Sequence, residues 1–207
     1  MRIKIVTAVM VGAVGLLVTG CGGGDSGSDD AGSKSAAAFP VLPQKVPKPP
    51  AMPEGELQPS PDADAPFSRN LAYELRRKTL DMAKAEGKTV GECPDDVASK
   101  AGTRVTCTIT YEGLEVVWDV TIGDKSGWSD NVVQYKAVPR KGVLTRDGAA
   151  RLLYGNYDPE LVRCNNIPKA VLVPLNAKTK YTCQTVDKGK PGLVEAARVT
   201  DAGPRFY

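Results

Sequence analysis

Histidine is absent from the 207-residue chain. Its absence excludes the most common general base in catalysis, the most common protein ligand of zinc and copper, and Ser-His-Asp and Cys-His nucleophilic sites. Aromatic residues make up only 6% of the sequence, and the formal net charge is only +3. No block of lysine and arginine is interleaved with aromatics, so the sequence lacks the electrostatic footprint of a nucleic-acid-binding protein.

Motifs of phosphate and acyl-transfer chemistry are missing or incomplete. No Gly-x-x-x-x-Gly-Lys loop occurs. Ser129-Asp130-Asn131 matches the S-D-N motif of serine β-lactamases and penicillin-binding proteins, but that chemistry also needs a Ser-x-x-Lys nucleophile, which is absent, and a Lys-Thr-Gly strand. Lys88-Thr89 is followed by Val90 instead of glycine. A turn after Gly127 and Trp128 explains the tripeptide better than catalysis does.

Few other side chains suggest chemistry. Asp95 and Asp96 have the composition of a cation or acid–base site, but adjacent carboxylates at a predicted helix start are more typical of helix capping. Trp118 and Tyr135 follow an apolar alternation, which predicts that both lie in the core. Trp128 breaks that alternation within a predicted turn and is the better candidate for an exposed ligand contact. We therefore expect no enzyme activity, no cofactor and no metal site.

The N-terminal residues are typical of a secretory signal. Arg2 and Lys4 precede a hydrophobic run over residues 5–18, which is too short and too rich in glycine to remain as a membrane-spanning helix. The sequence Leu-Val-Thr-Gly-Cys at 17–21 resembles the lipobox of bacterial lipoproteins. This resemblance implies that residues 1–20 are removed and that the sulfur of Cys21 carries a diacylglycerol. The mature protein would then be anchored in the cell membrane on its extracytoplasmic face.

Four further cysteines are present, Cys93, Cys107, Cys164 and Cys183. An even number of cysteines in an exported protein indicates two disulfides, and the sequence alone allows three pairings. A four-cysteine metal site normally contains close Cys-x₂-Cys pairs, and no two cysteines here are that close. The same spacing argues against a redox-active Cys-x-x-Cys site.

Residues 21–67 are predicted to form a disordered linker after the lipidated cysteine. Residues 22–38 contain only Gly, Ser, Asp, Ala and Lys, as in flexible, solvated chains. Residues 39–66 contain nine prolines, which favour an extended polyproline II conformation and are not expected to build a core. We expect this part to act as a spacer that lifts a folded module away from the membrane.

The folded part is predicted to be of the α+β class, with two tandem units over residues 68–139 and 140–207. Each unit is expected to have one helix packed on an antiparallel β-sheet and one disulfide. A helix capped by Ser68 and ended by Gly87 opens the first unit, and a helix capped by Thr145 opens the second.

Alternating hydrophobicity predicts a β-hairpin in the first unit. Apolar residues alternate over 103–111 and again over 114–122, on either side of a tight turn at Glu112-Gly113. A second turn is predicted over 123–127, before a third strand around Tyr135. The hairpin therefore has one apolar face that can cover the helix.

Around its second cysteine, each unit shows the same pattern. Thr106-Cys107 is followed, six residues past the cysteine, by Gly113, and Thr182-Cys183 is followed at the same distance by Gly189. The units also share the order of helix, cysteine, strand with cysteine, glycine turn and strand. This order indicates two diverged copies of one unit.

The stretch from Cys93 to Val120 resembles domain-of-unknown-function family 4333, which is common in actinobacterial lipoproteins. The resemblance is carried by Cys93-Pro94-Asp95-Asp96-Val97, Gly102, Val105, Cys107, Gly113 and Val120. The second unit departs from the pattern, because Asn165-Asn166 stand where the first has Pro94-Asp95. The resemblance implies a helix-on-sheet fold and a disulfide within each cysteine pair, Cys93 with Cys107 and Cys164 with Cys183. It implies no activity.

A looser, architectural likeness exists to the secreted β-lactamase inhibitor proteins, which also carry two tandem helix-plus-sheet units with one disulfide each. We expect a non-catalytic binding or interaction module at the cell envelope, with an envelope protein or a wall polymer as partner. The alternative is an inhibitor- or sensor-like protein that docks on an envelope enzyme through its sheet. A binder of wall polymer should have a groove, whereas an inhibitor should have a broad, aromatic-rich sheet surface.

Overall fold

The computed structural model describes residues 40–126 and 129–207, and all side chains among them except those of residues 126 and 129–132. This part of the chain belongs to one compact unit and contains two helices and twelve strands. Helices and mainly antiparallel strands are mixed, which confirms the predicted α+β class. None of the helices within the described residues is long and apolar enough to cross a bilayer.

The elements follow one another in a regular order along the chain. The helices are α1 (Phe67–Ala83) and α2 (Arg146–Tyr157). The strands are β1 (Gln44–Val46), β2 (Thr89–Glu92), β3 (Arg104–Tyr111), β4 (Leu114–Ser126), β5 (Ser129–Pro139), β6 (Lys141–Thr145), β7 (Leu161–Cys164), β8 (Ala170–Pro174), β9 (Lys178–Asp187), β10 (Lys190–Pro191), β11 (Glu195–Thr200) and β12 (Gly203–Phe206).

Two sheets contain most of the strands. The first sheet has the order β2-β3-β4-β5, and the second has the order β1-β7-β9-β11-β12, with β10 paired to β9. Cys93 is bonded to Cys107 and Cys164 to Cys183, as predicted. In the first sheet, the disulfide links the residue just past β2 to β3. In the second sheet, it links β7 to β9. In both cases it starts at the first strand after a helix.

The hairpin turns of the two sheets also correspond. Glu112 and Gly113 have φ values of 49° and 83°, and Lys188 and Gly189 have values of 50° and 71°. Two consecutive residues with positive φ are characteristic of type I′ turns, whose twist suits adjacent antiparallel strands. The predicted turn at Glu112-Gly113 is confirmed, and the glycine six residues past Cys183 has the same function.

One continuous core lies between the sheets and the helices. It contains residues of α1, α2 and both sheets, among them Leu75, Trp118, Leu153 and Val199. Trp118 is 1% exposed, as predicted for the core, and its indole nitrogen donates a hydrogen bond to Thr79 Oγ1 at 3.1 Å. Helix α1 contacts β2 and β3 of the first sheet and also β6 and β12, whereas α2 contacts β6 and, in the second sheet, β1, β7, β9 and β12.

The predicted ends of α1 are wrong. Pro66 is the N-cap, and its carbonyl oxygen accepts hydrogen bonds from the first free amides of the helix. Ser68 lies inside the helix and is buried, so its hydroxyl does not cap the helix. The helix ends at Ala83 because Lys84 adopts a left-handed conformation. Gly87 serves packing instead, since a Cβ there would overlap the ring of Tyr111.

The start of α2 agrees with the prediction. Thr145 is its N-cap, and the Thr145 hydroxyl accepts a hydrogen bond from the amide of Gly148 at 2.9 Å. The helix continues beyond the predicted Tyr154 to Tyr157, where Asp158 takes the left-handed conformation. Strands β6, β8 and β12 were not predicted, and β4 continues through Ser126, where a turn was predicted over 123–127.

Part of the proline-rich segment joins the fold, contrary to the predicted spacer. The three residues between Pro43 and Pro47 form β1, which pairs with β7 at the edge of the second sheet. Val46 is fully buried there. Gln44 adds two side-chain hydrogen bonds to the backbone of Ile167, at 2.8 and 3.0 Å. Prolines are tolerated beside an edge strand because no ladder hydrogen bond is lost, so a short proline-free stretch suffices.

Candidate binding cleft

Residues 51–57, which we call the strap, cross over α1 between two arginine anchors. On one side, Arg151 Nη1 donates a hydrogen bond to the carbonyl of Pro50 at 2.6 Å. On the other, Arg76 donates to the carbonyls of Gln58 at 2.8 Å and Pro59 at 3.0 Å. The strap is thus fixed at both ends, and its residues 52–57 line a cleft together with α1.

Arg76 is the buried anchor of the strap. Its side chain lies on the inner face of α1, where only 9% of the residue is exposed, and Nε donates to Thr89 Oγ1 at 3.2 Å. Burial lowers the pKa of Arg76. A buried guanidinium needs acceptors on all sides, and the three oxygen partners supply them. The sequence signal was a cation within the apolar stripe of α1, directly after Leu75.

The start of the strap is attached to α2. Arg151 Nε also donates to the carbonyl of Lys84 at 2.9 Å, so one side chain joins the end of α1 to the strap. The hydroxyl of Tyr154 donates to the carbonyl of Val46 at 3.2 Å. Lys48 forms an exposed ion pair with Asp158 at 3.6 Å. These contacts position the proline-rich chain before it reaches the cleft.

Beneath the strap lies an open cleft of about 990 Å³. Its floor is the outer face of α1, and its far wall comes from the turns after α1 and β3, the first turn of α2 and the loop after β7. The lining side chains used below are Glu54, Glu56, Glu74, Arg77, Lys78, Asp81, Glu86, Glu112, Tyr135, Asp147 and Lys169.

Carboxylates outnumber cations in this cleft, seven to three. Two of the three cations are already paired, Arg77 with Glu74 at 3.1 Å and Lys169 with Glu112. The hydrogen bond from Lys169, followed by that from the Lys88 amide, lowers the pKa of Glu112. Asp81 and Asp147 pair with Lys84 and Arg146, which lie outside the lining. The remaining excess of negative charge comes from the carboxylates without a partner.

Three carboxylates of the cleft have no partner among the described residues, those of Glu54, Glu56 and Glu86. All three side chains are exposed. Two of them belong to the strap, on either side of Gly55, whose φ of 114° turns the chain. The negative charge is thus placed at the rim of the cleft, where an entering ligand meets it first.

Tyr135 packs against the core, as predicted, and its side chain also lines the cleft. It is partly buried, and Lys78 Nζ lies 5.6 Å from the centre of its ring. Burial, and then the charge of Glu74, raises the pKa of Tyr135 to about 12. The phenol therefore stays protonated at neutral pH and provides an apolar wall with a hydrogen-bond donor at its tip.

No serine, threonine or cysteine is among the described lining residues of the cleft. In the described ranges, no group of three His, Cys, Asp or Glu side chains is placed to hold a metal ion. The exposed carboxylates at the rim suit binding by charge.

The other predicted site residues lie elsewhere. Asp95 and Asp96 are exposed in a turn closed by the Val97 amide and the Pro94 carbonyl at 3.3 Å, and do not start a helix as predicted. Cys21 and Trp128 lie outside the described residues, as does the predicted signal over residues 1–20.

The sheet surfaces turned away from the core, which we call the open faces, are poor in aromatics within the described part of the chain. Tyr111 and Trp118 point into the core. On the open face of the first sheet, β3 presents Thr106, Thr108 and Thr110 instead. This part of the surface is therefore rich in threonine.

No family model, curated protein or solved structure matches the chain. The resemblance of residues 17–21 to a lipobox and that of residues 93–120 to domain-of-unknown-function family 4333 therefore stay predictions. Function has to be argued from the cleft and the surfaces of the protein itself.

Proposed function

We propose that the protein is a lipid-anchored, non-catalytic binding module of the cell envelope, and that its ligand site is the cleft beneath the strap. The observation that carries this proposal is a cleft fixed by Arg76 and Arg151 whose rim carboxylates have no partner among the described residues. A fixed cleft costs less ordering on binding than a loose loop does.

The ligand we propose is elongated and carries amino groups. An excess of carboxylates favours a cationic ligand, both in steering and in the bound state. A cleft of about 990 Å³ is at the upper end of small-molecule sites. A short peptide with basic side chains, from an envelope protein or a wall polymer, fits both properties.

The surfaces favour this proposal over the alternative of an inhibitor-like protein. We expected an inhibitor to present a broad, aromatic-rich sheet and a wall-polymer binder to have a groove. The described residues provide a groove, whereas Tyr111 and Trp118 face inwards. The alternative therefore has less support.

We further propose that residues 68–139 and 140–207 are diverged copies of one unit, preceded by a lipidated segment over residues 21–67. The equivalent disulfides and the two type I′ turns support the duplication. The signal and the lipobox resemblance support acylation of Cys21 and an extracytoplasmic location.

Calorimetric titration with short peptides tests the cleft. At low ionic strength, trilysine should bind the protein and triglutamate should not. Changing Glu54→Gln and Glu56→Gln together should weaken trilysine binding several-fold, because each exposed ion pair contributes up to about 1 kcal/mol. The matched control is Glu92→Gln with Glu115→Gln, which removes two exposed carboxylates from the first sheet. Equal weakening by both double variants would refute the cleft as the site.

Fatty-acid labelling tests the anchor separately. Cells that express the full chain should incorporate a labelled fatty acid into the protein, and the Cys21→Ser variant should not incorporate it. Label that persists in this variant would show that another residue is acylated.

A further inference from the structure

The open face of the second sheet carries a row of three cations on neighbouring strands. Lys178 of β9 is directly opposite Arg198 of β11, and Arg198 is directly opposite Arg205 of β12. All three residues are exposed. Like charges directly opposite each other destabilise a sheet, so the row is unfavourable for folding.

No carboxylate side chain compensates this row within the described residues. Arg198 stacks over the ring of Tyr207 at 5.1 Å, and Arg205 donates to the carbonyl of Pro204. Lys45 and Arg163 are directly opposite on β1 and β7 and add two more cations to the same face.

Exposed apolar residues lie near Lys45 and Arg163, at the opposite end of β9 from Lys178. The Gln184 carboxamide, on the open side of β9, accepts a hydrogen bond from the Leu42 amide at 2.6 Å and donates one to the Gly192 carbonyl at 3.2 Å. One side chain thus holds two segments together over this face. Their neighbours Val41 and Leu193 are 57% and 65% exposed.

We infer that this open face rests on an anionic phospholipid surface. Lysine and arginine near such a surface are attracted to its headgroups, and apolar side chains and a tyrosine at the same level suit the interface between headgroups and acyl chains. A soluble polyanion would satisfy the cations but would leave Val41 and Leu193 in water.

The position of the N-terminal chain supports a membrane as the occupant. Pro40 and Val41 enter the fold at this face, beside Gln184. Cys21 precedes Val41 by 20 residues. The orientation we infer therefore rests on the proposed acylation of Cys21. The affinity of this face for lipid is independent of acylation and can be measured without the lipid anchor.

This arrangement would present the cleft to the outside. Helix α2 packs on the inner side of the second sheet, and Asp147 in its first turn lines the cleft. The acidic cleft and the basic face thus lie on opposite sides of that sheet. An anionic membrane would attract the basic face and repel the cleft.

Vesicle sedimentation tests the inference on the predicted mature chain with Cys21→Ser. The protein should bind phosphatidylcholine vesicles that contain about a third of phosphatidylglycerol, and not pure phosphatidylcholine. Arg198→Glu with Arg205→Glu should reduce the partition coefficient at least tenfold. The matched control, Arg104→Glu with Lys136→Glu, reverses two exposed cations of the first sheet and should change it much less.

The apolar contribution needs a second variant and a competitor. Leu193→Ser should weaken vesicle binding several-fold. Because Leu193 is exposed, the variant should keep the fold of the wild type, which circular dichroism checks. The inference fails if the wild-type protein ignores anionic vesicles, or if both charge-reversed proteins lose binding equally. It also fails if soluble polyphosphate binds as tightly as vesicles and Leu193→Ser has no effect.

Discussion

The open faces of the two sheets differ in charge, although each sheet carries one disulfide and one type I′ turn. On the first sheet, Asp119 accepts hydrogen bonds from Arg140 at 2.8 and 2.9 Å and from Thr106 at 3.1 Å. The hydrogen bond from Arg140 is the main reason why the pKa of Asp119 is lowered. On the second sheet, Arg198 is opposite Lys178 and Arg205.

This difference shows that folding restricts the choice of residue on one side of each sheet more than on the other. Core-facing positions must be apolar in both sheets, and Val120 and Val199 are both buried. Open positions affect stability little, so they are free to acquire a function. On the first sheet, the charge of Asp119 is balanced by Arg140. On the second sheet, a partner of opposite charge would relieve the repulsion between the opposed cations.

Removing a disulfide should be the largest perturbation of either sheet. The bonded cysteines are 14 residues apart in the first sheet and 19 in the second. Because the loops are of similar length, each disulfide should contribute about 3 kcal/mol to the free energy of unfolding. Cys164 and Cys183 are both fully buried, whereas Cys93 is only partly buried. Replacing the Cys164–Cys183 pair by alanines should therefore cost about 1 kcal/mol more, from the cavity left behind. Urea unfolding of both double variants measures this, and a larger loss in the first sheet would contradict it.

The two anchors of the strap should differ in their effect on stability. Arg76→Met should lower the free energy of unfolding by about 2 kcal/mol, because Thr89 and the Gln58 carbonyl lose their charged donor. Arg151→Met should cost less, since its contact with Pro50 is exposed. Urea unfolding at neutral pH compares them, and the order would be wrong if Arg151→Met were the more harmful change.

Stability should fall at alkaline pH, mainly through the first sheet. Burial, followed by the charges of Glu112 and Asp147, raises the pKa of Tyr111 from 10.0 to about 12. Between these values the folded state retains a proton that the unfolded state has lost. The stabilisation is therefore complete below pH 10 and disappears as the pH rises towards 12, by about 2 kcal/mol. The equivalent position before the second type I′ turn is Asp187, which cannot contribute to this loss.

Chemical denaturation at pH 9 and pH 11.5 tests the assignment. Tyr111→Phe should cost about 1 kcal/mol at pH 9, through the hydrogen bond to the Glu86 carbonyl at 2.9 Å, and should show a smaller alkaline loss than wild type. Tyr157→Phe, at an exposed position, should leave the alkaline loss unchanged. An undiminished loss in Tyr111→Phe would assign it to another group.

The smallest expected effect has the opposite sign. Arg205→Glu places a carboxylate directly opposite Arg198 and should stabilise the protein by about 0.5 kcal/mol at low salt. The same change should weaken binding to anionic vesicles. A variant that is more stable and binds less would show that the cation row is kept at the expense of stability, whereas destabilisation would show that Arg205 has a structural role.

Local patterns predicted the regular parts of the fold. Alternating hydrophobicity predicted β3 and β4, and Thr145 predicted the start of α2, because these signals depend only on residues close together in the sequence. Ser68 failed as a cap because the N-cap is Pro66, two positions earlier. Strand β1 was missed because its stability comes from β7, far along the chain.

The cleft could not be derived from the sequence for a similar reason. Its rim belongs to a segment whose prolines indicate an extended spacer, and its position depends on Arg76 and Arg151. The buried cation in the stripe of α1 was a usable signal, because a guanidinium there requires acceptors. Nothing in the local sequence shows that the carbonyls of Gln58 and Pro59 supply them.

Cysteine labelling on vesicles tests most directly whether the second sheet faces the membrane. Leu193→Cys places a thiol at an exposed position beside the open face of the second sheet. Val138→Cys places one at an exposed position on the open face of the first sheet. On anionic vesicles, the acylated mature chain should react with a membrane-impermeant maleimide at least tenfold more slowly at position 193 than it does on neutral vesicles, with no change at position 138. The same rate at position 193 on both kinds of vesicle would contradict the account.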